Sequence, residues 1–90
     1  MRIEWTSAAS ADLADILAHL PPDVAHNTAL RIARTEANLL IFPRAAIYHP
    51  DTDTFERYVP KTRVILVYHL IDDLIEIIAT FHTSRDPNTR

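Results

Sequence analysis

The sequence predicts an α+β domain of two layers, in which a helical hairpin covers one face of a small, largely antiparallel sheet. Apolar residues recur at helical spacing in the first half of the chain, whereas β-branched and aromatic residues dominate the second half. With 90 residues and no internal repeat, the chain has room for one domain over residues 1–90. We therefore expect the order β-α-α-β-β-β, in which a three-stranded antiparallel meander follows the hairpin.

The first half of the chain predicts one strand and two helices. Residues 2–5 alternate as a short strand, and Thr6 can cap a helix whose apolar stripe lies within residues 13–20. A double proline ends this helix, because proline lacks the N–H group that a helix interior needs. Asp23 is the expected cap of a second, longer helix, whose small side chains allow close packing against the first.

The second half of the chain predicts the meander. Residues 44–53 lose periodicity and predict a loop, and residues 54–59 predict a strand. Residues 63–70 and 74–82 predict a hairpin that turns at Asp72-Asp73. Because this turn contains no glycine, we expect a type I turn with a bulge.

The complete absence of cysteine and glycine restricts the chemistry of the chain. Without cysteine there are no disulfides, thiolate metal sites or cysteine nucleophiles. Without glycine the common phosphate-binding loops are excluded, so we expect no cofactor. The longest apolar run has five residues, and the N-terminus lacks the apolar stretch of a secretion signal, which predicts a cytoplasmic protein without a membrane span.

Charge is distributed unevenly along the chain, whose formal net charge is −3. Residues 1–56 contain four basic and eight acidic residues, whereas residues 57–90 contain five basic and four acidic residues. The acidic total argues against direct DNA binding. A surface that binds anions is expected in the second part, among Arg57, Lys61, Arg63 and Arg85.

Metal and triad chemistry have little support. The best metal candidate is the segment 49–53, which contains one histidine and two aspartates, but a solvated loop explains it equally well, so we expect no metal site. No nucleophile elbow surrounds any serine, which argues against a Ser-His-Asp triad. The two adjacent aspartates at 72–73 could form a paired-carboxylate site, but a turn explains them better.

A cluster of basic residues is predicted at one end of the β-hairpin formed by residues 63–70 and 74–82. Lys61 and Arg63 enter one strand, while His82 and Arg85 leave its partner at the same end. Four such groups suit a phosphate or an acidic side chain, and on RNA His82 would transfer the proton. A solvated cluster with ordinary ion pairs, such as Arg63 with Glu76, is the alternative that the sequence leaves open.

The strand at 74–82 is apolar on both faces. Ile75, Ile77, Ala79 and Phe81 are expected to share one face by alternation. The helices can cover only one face, so we expect the other to need a partner helix or an added strand.

Five segments resemble toxins of the ParE/RelE superfamily of type II toxin–antitoxin systems. They are ASADLADI at 9–16, LLIFPR at 39–44, VILVY at 64–68, IEII at 75–78 and FHTSRD at 81–86. They occur in the family's order and extend over nearly the whole chain. The resemblance implies a toxin of a plasmid-stabilisation-like module, neutralised in a hetero-oligomer by a cognate ParD-like or similar antitoxin.

The two branches of this superfamily differ in their targets. ParE-like members inhibit DNA gyrase, and RelE-like members are ribosome-dependent mRNA endonucleases. The ending from His82 to Arg85, the lack of a tyrosine after Phe81 and the acidic total favour the ParE-like branch. The resemblance then implies a gyrase inhibitor without catalytic residues. Its target-facing or antitoxin-facing residues are expected to be Arg57, Lys61, Arg63, His82 and Arg85.

Two alternatives to gyrase inhibition remain. A RelE-type endonuclease would use Lys61, Arg63, His82 and Arg85. An inactive antitoxin-binding remnant is suggested by the acidic charge and by Phe55, which stands where the family often has an arginine. Alternation places Arg57 on the same side of its strand as Phe55.

Overall fold

The computed structural model describes residues 1–83, which form a five-stranded sheet with two helices. The strands are β1 (Arg2–Trp5), β2 (Ile47–His49), β3 (Thr54–Tyr58), β4 (Val64–Ile71) and β5 (Leu74–His82). The helices are α1 (Ser7–Ala18) and α2 (Pro22–Ile41). The predicted α+β fold, with its N-terminal strand, helical hairpin and antiparallel meander, is confirmed. Neither helix in this part of the chain is long and apolar enough to cross a lipid bilayer.

The sheet has the strand order β1-β5-β4-β3-β2. β1 pairs in parallel with β5, and the remaining neighbours are antiparallel. β2 lies in the segment that was expected to be a loop, so the meander has four strands instead of three. Its three residues are too few to produce a periodic pattern, and the turn that follows is closed by a hydrogen bond from the Tyr48 hydroxyl to Asp53 Oδ1 at 2.8 Å.

The two helices begin differently. The Thr6 hydroxyl accepts a hydrogen bond from the backbone N–H of Ala9 at 3.1 Å, as expected of an N-cap. α2 begins at Pro22 with Pro21 as its cap and has no side-chain cap, so the expectation for Asp23 is wrong. Asp23 lies in the first turn instead, where its negative charge complements the helix dipole.

The core lies between the helices and one face of the sheet. Leu66, Tyr68, Ile75 and Ile77 are fully buried on this face, which we call the helix face. The Tyr68 hydroxyl donates to the backbone oxygen of Pro43 at 2.7 Å, which satisfies its polar group inside the core. Burial raises the pKa of Tyr68, and nearby arginines oppose this shift in part.

A β-bulge changes which residues of β5 point into the core. Val67 pairs with Ala79, but the next residue of β4, Tyr68, pairs with Ile77, which leaves Ile78 as the extra residue. Residues 75 and 77 therefore face the helices before the bulge, and residues 80 and 82 do so after it.

Because of the bulge, β5 does not follow the simple alternation that was expected, and that expectation is wrong. Ala79 and Phe81 lie on the face opposite Ile75 and Ile77, so these four residues do not share one side. Buried Thr80 takes the inward position, where its hydroxyl donates to the backbone oxygen of Ala9 at 3.2 Å.

The turn between β4 and β5 also differs from the expectation. Ile71 pairs with Leu74, so the loop contains only Asp72 and Asp73. Asp72 has a positive φ of 52°, which a type I turn does not contain. Aspartate tolerates this conformation better than most residues, so the tight turn forms without glycine.

Candidate functional site

Three of the predicted basic residues, Lys61, Arg63 and His82, line one cavity of about 340 Å³, which we call the basic cavity. Its other lining residues are Leu20, Val24, Thr28, Thr62 and Val64. The connection between α1 and α2 and the start of α2 thus supply a largely apolar wall beside the basic side chains. None of these lining residues is acidic, so the cavity suits a ligand that combines an anionic group with an apolar one.

The turn between β3 and β4 positions the basic side chains. The backbone N–H of Val59 donates to the oxygen of Val64 at 3.0 Å, and the Thr62 hydroxyl donates to the oxygen of Val59 at 2.8 Å. Lys61 lies at the tip of this turn with a positive φ of 60°. A left-handed lysine is disfavoured by about 1 kcal/mol or more, so the surrounding hydrogen bonds must hold it in place.

His82 is brought to this turn by strand pairing. It pairs with Val64 across the β4–β5 ladder, and the next residue, Thr83, donates its backbone N–H to the oxygen of Arg63 at 2.8 Å. Without the bulge in β5, His82 would point to the opposite face of the sheet. Arg85 was predicted at the same place but lies outside the described residues.

Arg57 is not part of the basic cavity. Its guanidinium donates to Asn38 Oδ1 at 3.1 Å and to the backbone oxygen of Ala45 at 2.9 Å. It lines a separate concavity of about 210 Å³ with Arg31 and Arg34 of α2. No pattern in the sequence singled out these two α2 arginines as candidate site residues.

Phe55 is a core residue. It is buried, and its ring stacks on Tyr68 with the ring centroids 5.3 Å apart. The Arg44 guanidinium lies 5.8 Å from the centroid of the Phe55 ring. The expected alternation holds, because Phe55 and Arg57 both face the helices.

Two of the three possible ligands in the predicted metal candidate, His49 and Asp53, lie close to other side chains. His49 Nε2 lies 3.3 Å from Glu56 Oε2, although the two atoms are not aligned as a hydrogen bond. Asp53 accepts the hydrogen bond from Tyr48 and thereby raises the pKa of that phenol. Within residues 1–83, no three metal-ligating side chains of the kinds His, Cys, Asp or Glu come together.

The second face of the sheet, which we call the open face, combines apolar and paired polar residues. Tyr58, Ile65 and Phe81 form one row across β3, β4 and β5, with Tyr58 53% and Phe81 45% exposed. Below this row, His69 Nε2 lies 2.6 Å from Glu76 Oε1. Glu76 is therefore paired with His69 and not, as suggested above, with Arg63.

Comparisons with known proteins agree with this fold. The family profile described as the ParE toxin of the type II toxin-antitoxin system, parDE, matches residues 3–87. Among solved structures, a chain of the "Chromosomal ParDE TA system from P. aeruginosa" matches with a TM-score of 0.75 and 18% sequence identity. The match covers 91% of this chain and 95% of that chain, and at this identity it shows a shared fold. A search of curated protein sequences found no significant match.

Proposed function

The chain belongs to the ParE toxin family of type II toxin–antitoxin systems, and from this premise we propose that it inhibits DNA gyrase by binding and is neutralised by a cognate antitoxin. The family match over residues 3–87 is the observation that carries the proposal. The ending from His82 to Arg85 adds support, because it resembles the ParE-like branch more than the RelE-like branch. The proposed module is of the plasmid-stabilisation type, with toxin and antitoxin in a hetero-oligomer.

The composition of the basic cavity supports a binding role over a catalytic one. General acid–base cleavage of RNA uses one group that accepts a proton and one that donates it. His82 is the one imidazole among the lining residues that the structure describes, and none of the other described lining residues has a carboxylate side chain. Lys61 and Arg63 beside an apolar wall are suited to an acidic patch on a protein target.

The exposed apolar residues of the open face favour a second binding surface, separate from the basic cavity, for the antitoxin. Half-exposed Tyr58 and Phe81 flank Ile65, which makes an apolar row that the helices do not cover. Aromatic residues in such a row are typical of anchors in protein interfaces. We assign this row to the antitoxin and the basic cavity to gyrase, so that one chain can be recognised by both proteins.

A supercoiling assay tests the gyrase target. The toxin is co-expressed with its antitoxin, separated under denaturing conditions, refolded and added to purified gyrase with relaxed plasmid and ATP. We expect supercoiling to stop and to recover when the antitoxin is added. The K61Q/R63Q double variant should need about ten times more protein for the same inhibition, because it loses two charge-assisted contacts.

The His82→Gln variant is compared with the original chain in the same supercoiling assay. A contact role predicts a graded loss of inhibition, within about tenfold. Normal supercoiling at every concentration of the original chain, added without the antitoxin, would contradict gyrase inhibition. The inactive remnant would then be identified by antitoxin binding without mRNA cleavage in a translation extract.

A RelE-type endonuclease is the second candidate, because Lys61, Arg63 and His82 do lie around one cavity. It predicts mRNA cleavage in a translation extract, with cleavage abolished by His82→Gln while the circular dichroism spectrum stays unchanged. The gyrase proposal predicts intact mRNA with both the original chain and this variant.

A further inference from the structure

Three arginines converge on the concavity of about 210 Å³ between α2 and β3, which we call the arginine site. Arg31 and Arg34 come from α2 and Arg57 from β3. The remaining lining residues, Thr35, Asn38 and Pro60, carry no charge. The turn between β3 and β4 contributes Pro60 to this concavity and Lys61 to the basic cavity, so the two concavities are adjacent and distinct.

The positive charge of the arginine site is not neutralised by the rest of the described chain. Within residues 1–83, none of these three arginines forms an ion pair. The nearby acid of α2, Glu36, accepts a hydrogen bond from the Trp5 indole at 3.1 Å, on the β1 side of the helix. This lack of pairing stands out in a chain whose formal net charge is −3.

The side chain of Arg57, a half-buried residue, is held in place by two hydrogen bonds. Its guanidinium donates to two neutral acceptors, Asn38 Oδ1 and the oxygen of Ala45, which fix its position without neutralising its charge. A guanidinium that is already ordered loses little conformational entropy when it binds an anion. Three like charges around one concavity repel each other, and a bound anion removes that repulsion.

We propose that the arginine site binds the carboxylates of an acidic segment of a partner protein. Arg31 and Arg34 are three residues apart on a helix, so they are offset by about 4.5 Å along its axis. Two carboxylates three residues apart on a partner helix, or two residues apart on an extended segment, lie on one side and come close to this offset. The guanidinium fork pairs with carboxylates through two parallel hydrogen bonds.

The dimensions and charge of the molecule favour a carboxylate-bearing segment over a nucleic acid. A concavity of about 210 Å³ accommodates one or two side chains but is smaller than the pockets of roughly 300 Å³ and above that enclose small molecules such as nucleotides. The net charge of −3 repels a long polyanion, whereas a short acidic segment contacts only the local positive patch. The assignment of this segment to the antitoxin rests on the proposed function. The binding of an acidic segment by the arginine site does not depend on it.

Titration of the full chain with hexaglutamate peptide tests the proposal. We expect shifts of the backbone amide NMR signals of α2 and β3 around the arginine site at neutral pH, and their loss at high salt because the contact is ionic. Arg34→Gln and Arg31→Gln should each weaken the affinity by about tenfold, as expected for a lost charge-assisted hydrogen bond. Arg34→Lys should recover only part of the affinity, because lysine keeps the charge and loses the fork.

Arg2→Gln is the matched control, since it removes the same charge at an exposed site where the arginine is already paired with Glu4 at 3.1 Å. Equal weakening by Arg2→Gln and Arg34→Gln would overturn the proposal in favour of general electrostatic attraction. Tighter binding of a single-stranded RNA hexamer or of pyrophosphate at the same residues would overturn it in favour of a phosphate site. Absence of any peptide binding would also overturn it.

The outcome is separable from the proposed function. A chain that inhibits gyrase but does not bind hexaglutamate refutes the arginine site alone. A chain that binds hexaglutamate through Arg31 and Arg34 but leaves gyrase unaffected refutes the gyrase proposal alone.

Discussion

On the helix face of the sheet, Leu66, Tyr68 and Ile77 are fully buried, whereas on the open face Tyr58 and Phe81 leave about half of their surface exposed. The polar side chains of the two faces also have different kinds of partner. The Tyr68 hydroxyl on the helix face donates to the backbone oxygen of Pro43, beyond the C-terminus of α2, whereas His69 on the open face pairs with Glu76 of the neighbouring strand. The helix face therefore buries the side chains that stabilise the fold most, and the exposed apolar residues of the open face are the ones that we propose for partner binding.

The largest expected effect is on the helix face. Leu66→Ala removes a fully buried side chain and should lower the free energy of unfolding by about 3 kcal/mol, because it leaves a cavity in the core. Phe81→Ala, at a half-exposed position, should lower it by about 1 kcal/mol. Urea denaturation of both variants measures this difference, and equal losses would mean that the open face also holds the fold together.

The second prediction concerns antitoxin affinity. Phe81→Ser should weaken binding of the antitoxin by about 10- to 100-fold, the range expected when an aromatic anchor is lost from an interface. Phe42→Ser at the end of α2 is the matched control, because Phe42 is an aromatic residue that is 58% exposed and lines neither the open face nor the arginine site. Isothermal titration calorimetry would contradict the assignment of the open face if the two variants lost the same affinity.

The third prediction concerns alkaline pH. Because burial raises the pKa of Tyr68, the unfolded chain ionises first above pH of about 10, so stability is intact below that pH and falls above it. Tyr68→Phe should lower the free energy of unfolding by about 1 kcal/mol at neutral pH, since the Pro43 oxygen loses its donor. The same variant should also lose stability less steeply at alkaline pH.

Tyr48→Phe is the control for this alkaline effect. The pKa of Tyr48 is raised as well, chiefly by its hydrogen bond to Asp53, but its ring is exposed to solvent. We expect a smaller change in alkaline stability than for Tyr68→Phe, measured by urea denaturation at neutral and alkaline pH. A larger change in the Tyr48 variant would contradict the importance of burial.

The smallest effect is expected for the polar pair of the open face. Glu76→Gln should change the free energy of unfolding by less than about 1 kcal/mol, because His69 and Glu76 are both partly exposed and their interaction is screened by solvent. Thermal unfolding at neutral pH measures this change. A loss as large as that of Leu66→Ala would show that the open face is part of the folding core.

Much of the fold could be predicted because periodicity and prolines mark the longer elements. β2 could not be predicted, since it is only three residues long. The bulge was missed because Ile77 and Ile78 are both apolar, so hydrophobicity does not indicate which of them points inward. The bulge in turn determines that His82 faces the helices.

The candidate site was predictable only where residues are close along neighbouring strands. Lys61, Arg63 and His82 meet because one hairpin connects them. Arg31 and Arg34 reach Arg57 through the packing of α2 against the sheet, and this long-range arrangement leaves no local signal in the sequence.

Pulse-labelling of DNA and protein synthesis after induction of the toxin alone in bacteria tests gyrase inhibition most directly. We expect DNA synthesis to stop first while translation continues, and co-induction of the antitoxin to restore DNA synthesis. Translation that fails before DNA synthesis would contradict gyrase inhibition and identify the cavity around Lys61, Arg63 and His82 as an endonuclease active site.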